Sequence, residues 1–401
     1  MPDVQHKRGS RADLNTLAAA NGLLLGQIYV ITDEDRLAVA TGVGSYQAAE
    51  KEGGGGGGTA LELYAENPSS PTAPSATGLN AVAIGSGSTA TGGSSFSFGT
   101  GASSTADQAF SFGLNAQATA VRSLSFFGEA GSTQSTALGY NSGIQRAKTI
   151  TGSGAMALGG SYASGTDSFA AAIANNTATY GATGTQAVAI GFKAKASGAN
   201  ALALHTLSVA SASGSFAAMR GTASADNAIS IGNLSIASAS ESVALGKNAK
   251  SDIKGKYAYS SSDTWGQGLA QYGCFVLKSD TTDATAEALT TNNSTAGTTN
   301  QVILPNNSAY AFHGTIVARQ QASGGTESAA WKVEGLIRRE ANAGTTVLVN
   351  SAITILDNTP AWGMALSADT TNGGLKIEVT GEAATNIRWV ATLNTSELIY
   401  A

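Results

Sequence analysis

The sequence predicts an all-β protein, and three observations carry that prediction. Between residues 80 and 250 a glycine recurs every 14 residues in the best-preserved units, as from Gly85 to Gly99 to Gly113. Before each glycine, small and large residues alternate, which is the side-chain period of a β-strand. After Gly273, longer alternating runs are separated by ordinary turn signals. The short fixed period predicts a solenoid in the middle of this 401-residue chain, flanked by further β domains.

Residues 1–50 are predicted to form a small N-terminal β module. Apolar residues at helical spacing end at Asn21-Gly22, a typical helix stop. Gln27–Thr32 and Arg36–Ala40 follow as two alternating runs, which predict a hairpin. The turn between these runs is acidic and consists of Asp33, Glu34 and Asp35. Residues 51–79 are predicted to be a flexible linker, because the glycine run at 53–58 has no side chains to pack.

Residues 80–250 are predicted to form the solenoid as a shaft. In each unit one strand face carries Ala and Ser, and the other carries Val, Ile or Phe. A coil of two short strands is too thin to bury both faces, so one face fills the coil and the other needs a partner. Several copies of the chain packed around an axis meet this need, which predicts a closed cyclic oligomer. The sequence leaves open which face points to the axis.

The repeat units also resemble a known family. Asn80–Gly85 and Ala187–Gly191 are similar to the head repeats of trimeric bacterial adhesins, whereas the phenylalanine-bearing units depart from that motif. The resemblance implies a left-handed parallel β-roll and a homotrimer. The glycine spacing becomes irregular after Gly113, so we expect loops or bulges there, notably at Asn141–Gly152.

Residues 251–272 are predicted to be a neck, and residues 273–401 a β-sandwich tip. Five runs of ordinary strand length are separated by turns that contain Gly and Asn, which is the spacing of a sandwich. The core aromatic residues are expected to be Trp331, Trp362 and Trp389. Asn300–Tyr310 and Ala330–Arg339 closely resemble a C-terminal module that is common in phage tail and tail-fibre proteins.

The first 50 residues resemble the attachment modules of phage tail fibres through Lys7-Arg8-Gly9 and Ile31-Thr32-Asp33. These resemblances imply a phage tail fibre or receptor-binding protein, made in the host cytoplasm and located in the virion. Its N-terminus would bind phage baseplate or tail proteins, and its tip would bind a host cell-surface glycan or protein. The expected attachment residues are Lys7, Arg8, Asp33 and Glu34.

Loops between the sandwich strands are the predicted receptor contacts, because a rigid scaffold usually carries its binding groups there. Three turns supply the candidate residues, which are Ser323, Gly324, Gly325, Asn342, Asp357, Asn358 and Trp362. Trp362 is the candidate for stacking on a sugar, with core packing as the alternative.

Patterns for catalysis and metal binding are missing from the sequence. None of the histidines His6, His205 and His313 lies at ligand spacing from another metal-binding residue. We therefore expect a structural protein without enzymatic activity, metal or cofactor. A net charge of −5 without a basic run argues against nucleic acid as a partner. No apolar stretch is long enough to predict membrane insertion.

Two alternatives to a tail fibre stay open. A polysaccharide-degrading tailspike would use paired carboxylates, and acidic residues are rare in the repeat. A bacterial trimeric adhesin would be expected to carry a signal peptide and a membrane anchor, and the sequence has no pattern of either kind.

Overall fold

The computed structural model describes residues 7–34, 36–48, 72–140, 145–262, 264–321 and 327–400. The chain forms two compact units, Met1–Leu63 and Tyr64–Ala401. In the described residues, regular structure is β apart from one short α-helix and one turn of 3-10 helix. The all-β prediction is therefore confirmed. The predicted linker glycines at 53–58 lie outside the described residues.

The first unit is a four-stranded sheet with one helix packed on it. Its elements are β1 (Lys7–Gly9), α1 (Arg11–Ala19), β2 (Ile28–Ile31), β3 (Arg36–Gly42) and β4 (Ser45–Ala48). The sheet order is β1-β2-β3-β4, with β1 parallel to β2 and the other neighbours antiparallel. Ser10 and Asp13 form a capping box at the start of α1, and Asn21 follows its end with φ of 54°. The helix and hairpin occur where they were predicted, while β1 and β4 were not predicted.

The shaft is a parallel β-roll in which each coil contributes one strand to each of two sheets, here called the back sheet and the front sheet. The back sheet consists of 13 strands of two residues, β5 (Ser75–Ala76), β7 (Thr89–Ala90), β9 (Ser103–Ser104), β11 (Gln117–Ala118), β13 (Glu129–Ala130), β15 (Lys148–Thr149), β17 (Tyr162–Ala163), β19 (Gly181–Ala182), β21 (Lys195–Ala196), β23 (Val209–Ala210), β25 (Thr222–Ala223), β27 (Ile236–Ala237) and β29 (Lys250–Ser251). The front sheet alternates with it along the chain and consists of β6 (Val82–Ile84), β8 (Phe96–Phe98), β10 (Phe110–Phe112), β12 (Leu124–Phe126), β14 (Thr136–Leu138), β16 (Met156–Leu158), β18 (Phe169–Ala171), β20 (Val188–Ile190), β22 (Leu202–Leu204), β24 (Phe216–Ala218), β26 (Ile229–Ile231), β28 (Val243–Lys247) and β30 (Tyr257–Ser261).

The small face of each strand fills the coil. The middle residues of the front strands, such as Ser97, Ala157 and Ala203, are fully buried and lie beside equivalent residues of the next coil. A coil that is two strands wide has room mainly for small side chains, and Ile173 is the large residue that is also fully buried in the described shaft core. The shaft core is consequently a stack of Ala and Ser, and the large residues point outward. The irregular spacing after Gly113 leaves this stacking intact, because Lys148–Thr149, within a predicted loop, forms β15 in register.

The front sheet continues into the tip. The tip sheet consists of β31 (Ala270–Thr281), β34 (Ser308–Gln320), β35 (Ser328–Arg339), β36 (Val347–Asp357) and β39 (Ile387–Ile399). Its strands are antiparallel and follow β30 in the order β31-β39-β34-β35-β36. The predicted neck thus contributes β30 to the front sheet.

A small second sheet completes the sandwich. It consists of β32 (Ala286–Ala288), β33 (Val302–Ile303), β37 (Gly363–Asp369) and β38 (Gly374–Thr380), and a 3-10 turn at Ala343–Thr345 precedes β36. β38 pairs with β37 along one edge and with β32 and β33 along the other. Trp331, Trp362 and Trp389 are buried between the sheets, so the prediction of a sandwich with these core residues is confirmed.

Candidate functional site

The predicted receptor-contact residues do not form one site. Ser323, Gly324 and Gly325 lie outside the described residues. Asn342 precedes β36 and Asp357 ends it, so the two residues stand at opposite ends of an 11-residue strand. A strand of that length spans roughly 35 Å. The two candidates have in common that each lies at or near one end of β36.

Trp362 is a core residue rather than an exposed stacking platform. Its side chain is only 4% exposed, and its ring centroid lies 5.8 Å from that of Trp389. The amide group of Asn358 closes the turn in front of it, because Asn358 Oδ1 accepts from Trp362 N at 2.9 Å and Nδ2 donates to Trp362 O at 2.9 Å. The structure thus corrects the stacking hypothesis for Trp362 and gives Asn358 an internal role.

The acidic residues of the predicted attachment set hold the N-terminal module together. Glu34 accepts from Arg11 Nε at 2.9 Å and from Nη2 at 2.7 Å, and it also contacts Arg36. Asp33 Oδ1 accepts from the backbone N–H of Arg11 at 2.9 Å. The hydrogen bond from Arg11 lowers the pKa of Glu34 to about 2. These acids tie the start of α1 to the hairpin, whereas Lys7 and Arg8 on edge strand β1 stay exposed.

The sheet of this module also presents an apolar face away from its helix. Ile28 lies opposite Val39 and Val30 lies opposite Leu37, and all four side chains are half-buried or exposed. Alternation along β2 and β3 could have indicated this face, since their other residues, such as Tyr29, pack toward the helix.

The front sheet carries the largest apolar surface on the shaft. Each front strand from β6 to β26 points two residues outward, and all of them are large and apolar except Thr136, Ala171 and Ala218. The longer strands β28 and β30 continue the pattern and end on the polar residues Lys247 and Ser261. These residues lie in register between coils and form two continuous rows. Thirteen strands at about 4.8 Å give a face about 60 Å long. A continuous apolar face of this kind, with partly exposed side chains along its length, is typical of an interaction surface.

Aromatic residues stack along the front sheet. The rings of Phe96 and Phe110 lie 4.9 Å apart with an interplanar angle of 8°, and those of Phe98 and Phe112 lie 5.0 Å apart at 6°. The units that depart from the adhesin motif therefore keep its register, with phenylalanine at the outward positions. The stacked rings form a flat apolar surface on the outside of the coil.

The back sheet is chemically different. Its outward residues include Thr89, Ser103, Gln117 and Lys195, and Lys148 Nζ lies 3.0 Å from Glu129 Oε2 across two coils. A polar face of this kind is stable in water without a partner.

A buried ion pair joins the shaft to the tip. Lys256 Nζ lies 2.6 Å from Glu397 Oε2, and both side chains are almost fully buried. Gln271 and Thr395 also donate to the Glu397 carboxylate, at 2.6 and 2.8 Å. Burial, followed by the charge of Glu397, raises the pKa of Tyr310 beside the pair well above its usual value. The two charges are paired and the carboxylate accepts two further hydrogen bonds, which helps to offset the cost of burying them.

Metal-binding and catalytic groupings were also sought in the described residues. They contain no cluster of three or more His, Cys, Asp and Glu residues that could hold a metal ion. In the shaft, Asp107 accepts from the backbone of Gly93 at 2.8 Å, and Glu241 pairs with Lys254 at 3.0 Å. His205 is an exposed corner residue with φ of 76°. Among the described helices, none has the length and apolar character of a membrane span.

Comparison with protein families matches part of this architecture. Residues 76–102, 182–204 and 223–249 match the YadA head domain repeat. All three segments lie in the shaft, where they cover complete coils of the β-roll. The prediction of an adhesin-like β-roll shaft is therefore confirmed. Along the chain, this adhesin-like shaft is preceded by the small N-terminal module and followed by the β-sandwich.

Solved structures that resemble the chain are phage tailspikes, at low similarity. The tailspike gp49 of Acinetobacter baumannii bacteriophage Fri1, a capsular polysaccharide depolymerase, is 10% identical with a TM-score of 0.22, over 72% of this chain and 41% of that one. The tailspike of Acinetobacter baumannii phage AM24 is 8% identical with a TM-score of 0.18, over 80% and 54%. The tailspike of Acinetobacter phage vB_ApiP_P1 is 9% identical with a TM-score of 0.21, over 99% and 100%. The chain thus spans about half the length of the first two. No curated protein matches the sequence significantly.

Proposed function

We propose that this protein is a homotrimeric phage tail fibre that mediates adsorption to the host cell. The observation that carries the proposal is the apolar front sheet, which is in register over the whole shaft and has no covering partner in the described residues. Three copies that turn their front sheets toward a common axis bury this face and leave the polar back sheets in water. In this proposed arrangement, the large-residue face of the front sheet points to the axis.

The side of the tip sheet that continues the front face is mixed, with apolar residues among charged ones such as Lys278 and Lys332. Val276, Val317, Val390 and Leu398 point away from the tip core and are exposed. In the trimer, the N-terminal module docks to baseplate or tail proteins through Lys7, Arg8 and the apolar face around Leu37. The protein is then a component of the virion.

Host recognition is assigned to the tip, which lies at the far end of the front sheet from β6. Purified full-length protein should compete with the phage for adsorption to host cells. A folded trimer that does not compete would contradict the proposal.

The second candidate function is that of a polysaccharide-degrading tailspike. One of the similar tailspikes is named as a capsular polysaccharide depolymerase, which is why this activity needs a direct assay. The internal roles of Asp107, Glu129 and Glu241 support a binding protein instead. Incubation with host capsular polysaccharide should release no new reducing ends, and their release at a rate that scales with protein concentration would establish the tailspike alternative.

A further inference from the structure

The outer face of the tip sheet carries a row of charged residues at the end that lies away from the shaft. β31 pairs with β30 near its start and ends at Thr281, so Asp280 lies near that far end. Asp280 lies opposite Arg388 of β39, and Arg388 lies opposite Arg319 of β34. Because directly opposed residues point to the same side of a sheet, these three side chains form one row, here called the distal row.

The distal row places two positive charges side by side. Like charges directly opposite each other on adjacent strands destabilise a sheet. Arg388 is compensated, because its Nε lies 2.9 Å from Asp280 Oδ1. Arg319 is exposed and has no ion pair or side-chain hydrogen bond in the described residues. The segment 322–326 that follows β34 contains no acidic residue in its sequence. Arg319 is therefore a cation that lacks a counter-charge in the described part of the chain.

Asp280 is already engaged by other donors. Its Oδ1 also accepts from Gln321 Nε2 at 2.9 Å, and its Oδ2 accepts from Asn293 Nδ2 at 3.1 Å. Lys278, two residues earlier on the same face of β31, is exposed and has no side-chain partner among the residues that the structure describes. The distal row and Lys278 thus combine three positive charges with one negative charge, on a chain whose net charge is −5.

The surface beside the distal row is flat and polar. Val317 and Val390 lie opposite each other in the next row, and they are 53% and 40% exposed. One row further, the hydroxyl oxygens of Thr315 and Thr392 lie 3.2 Å apart and are exposed. None of these residues is aromatic, whereas the core of a protein–protein interface is enriched in aromatic residues and depleted of charge. Exposed hydroxyl groups beside cations suit a ligand that has both hydroxyl and acidic groups.

We propose that the distal row and Lys278 bind an acidic polysaccharide of the host surface through its carboxylate or phosphate groups. This inference rests on the proposed function, because it names the class of receptor that the tip recognises. A guanidinium presents its N–H groups in a planar fork that matches two oxygens of either anionic group. Contact between the distal rows of different copies around a threefold axis would bring like charges together, so it does not relieve the charge of Arg319. Contact with an acidic residue of another copy is decided by the test.

The test measures the binding of fluorescently labelled full-length protein to host cells by flow cytometry. The double substitution Arg319→Gln and Arg388→Gln should raise the apparent Kd by about tenfold or more, because charge-assisted hydrogen bonds to the anion are lost. Asp280→Asn should have the opposite effect and lower the apparent Kd, because it removes the carboxylate that competes for Arg388. Rising NaCl concentration should weaken binding of the unsubstituted protein more than that of the arginine variant.

The matched control is the double substitution Lys332→Gln and Arg338→Gln. It removes two positive charges from the same face of the tip sheet, and those charges lie 3.4 and 3.7 Å from Glu334 and Glu340. The control should bind host cells with the Kd of the unsubstituted protein. An equal loss of binding in both double variants would overturn the proposal, because net charge rather than the distal row would then set the affinity.

Purified host surface polysaccharide should compete with the cells for the protein. Loss of competition after amidation of its carboxyl groups would identify carboxylates as the ligand, and loss after removal of phosphate with hydrofluoric acid would identify phosphates. Competition that survives both treatments, or binding that disappears after protease treatment of the cells, would overturn the proposal.

Gel filtration with light scattering should show that both double variants are trimers. Loss of the trimer in the arginine variant alone would overturn the proposal and assign the distal row to a contact between copies. Equal binding by the arginine variant and the unsubstituted protein would overturn this inference and leave the adsorption proposal standing. Failure of the unsubstituted protein to bind host cells would contradict both.

Discussion

The shaft and the tip use side-chain size in opposite ways. In the shaft, Ala and Ser fill the interior, and Phe, Ile and Leu point outward. In the tip, Trp331, Trp389 and Phe312 fill the interior, as in an ordinary sandwich. Because hydrophobic stabilisation grows with the apolar area that is buried, a core of Ala and Ser stabilises little by itself. The difference predicts that the tip is stable on its own core, whereas the shaft depends on the neighbouring copies of the proposed trimer.

The largest expected effect comes from a charge on the front sheet. Phe112→Asp places three carboxylates at the axis of the proposed trimer, and an unpaired buried charge costs several kcal/mol at each copy. It also removes the stack with Phe98. We expect loss of the trimer in gel filtration with light scattering.

The matched control for Phe112→Asp is Gln117→Asp. Gln117 lies on the back strand of the same coil, and it points outward. The control should form trimers in normal yield. Equal behaviour of the two variants would mean that the front sheet is in contact with water.

Trp389→Ala should separate the stability of the tip from that of the shaft. Trp389 is fully buried, stacks on Trp331 at 5.7 Å, and donates from Nε1 to Thr281 Oγ1 at 2.9 Å. Truncation should destabilise the tip by about 3–5 kcal/mol. Calorimetry should show that the tip unfolds at a lower temperature than in the unsubstituted protein, while the protein remains trimeric. Loss of the tip fold and of the trimer in one transition would contradict the prediction that tip and shaft have independent cores.

Overpacking of the shaft interior should have a smaller effect. Ala203 is fully buried between Ala189 and Ala217 of the adjacent coils. Ala203→Leu forces a larger side chain into this stack and should cost about 1–3 kcal/mol, seen as a lower midpoint of shaft unfolding. Leu202→Met, which changes an outward residue and keeps its volume, is the control and should leave the midpoint nearly unchanged. A neutral Ala203→Leu would mean that the coil has spare volume.

The smallest effect concerns pH and the N-terminal module. Glu34 has its pKa lowered from 4.5 to about 2 by Arg11, so its ionised form favours the folded state. This contribution is complete above about pH 4.5 and is lost as the pH falls toward 2. Hydrogen-exchange protection of α1, corrected for intrinsic rates, should fall over that window. Glu34→Gln should already be less protected at pH 7 and should show a weaker pH dependence.

The repeat period predicted the shaft, because residues 14 positions apart in the sequence occupy equivalent places in adjacent coils. The facing of its strands could not be predicted from alternation alone, which is equally compatible with either face inside. The volume inside the coil decides which face points inward. That volume is known only from the structure, in which Ala203 packs beside its equivalents in the adjacent coils. The sandwich could likewise be predicted from the spacing of its strands, and its tryptophans were predicted as core residues.

The site residues were harder to predict because their roles depend on distant partners. Trp362 follows Pro360 in a turn, which resembles an exposed loop, yet it closes the core against Trp389. Asp33 and Glu34 look like a solvated turn until the start of α1, 22 and 23 residues earlier, binds them.

The central claim is that the shaft is stable only as a trimer around its front sheets. Sedimentation equilibrium of the full-length protein measures this directly, since it reports mass without reference to shape. The account predicts a single species at three times the 39.9 kDa mass of the chain, with no folded monomer at the lowest concentrations. A folded monomer that is stable and soluble with its front sheet exposed would contradict it.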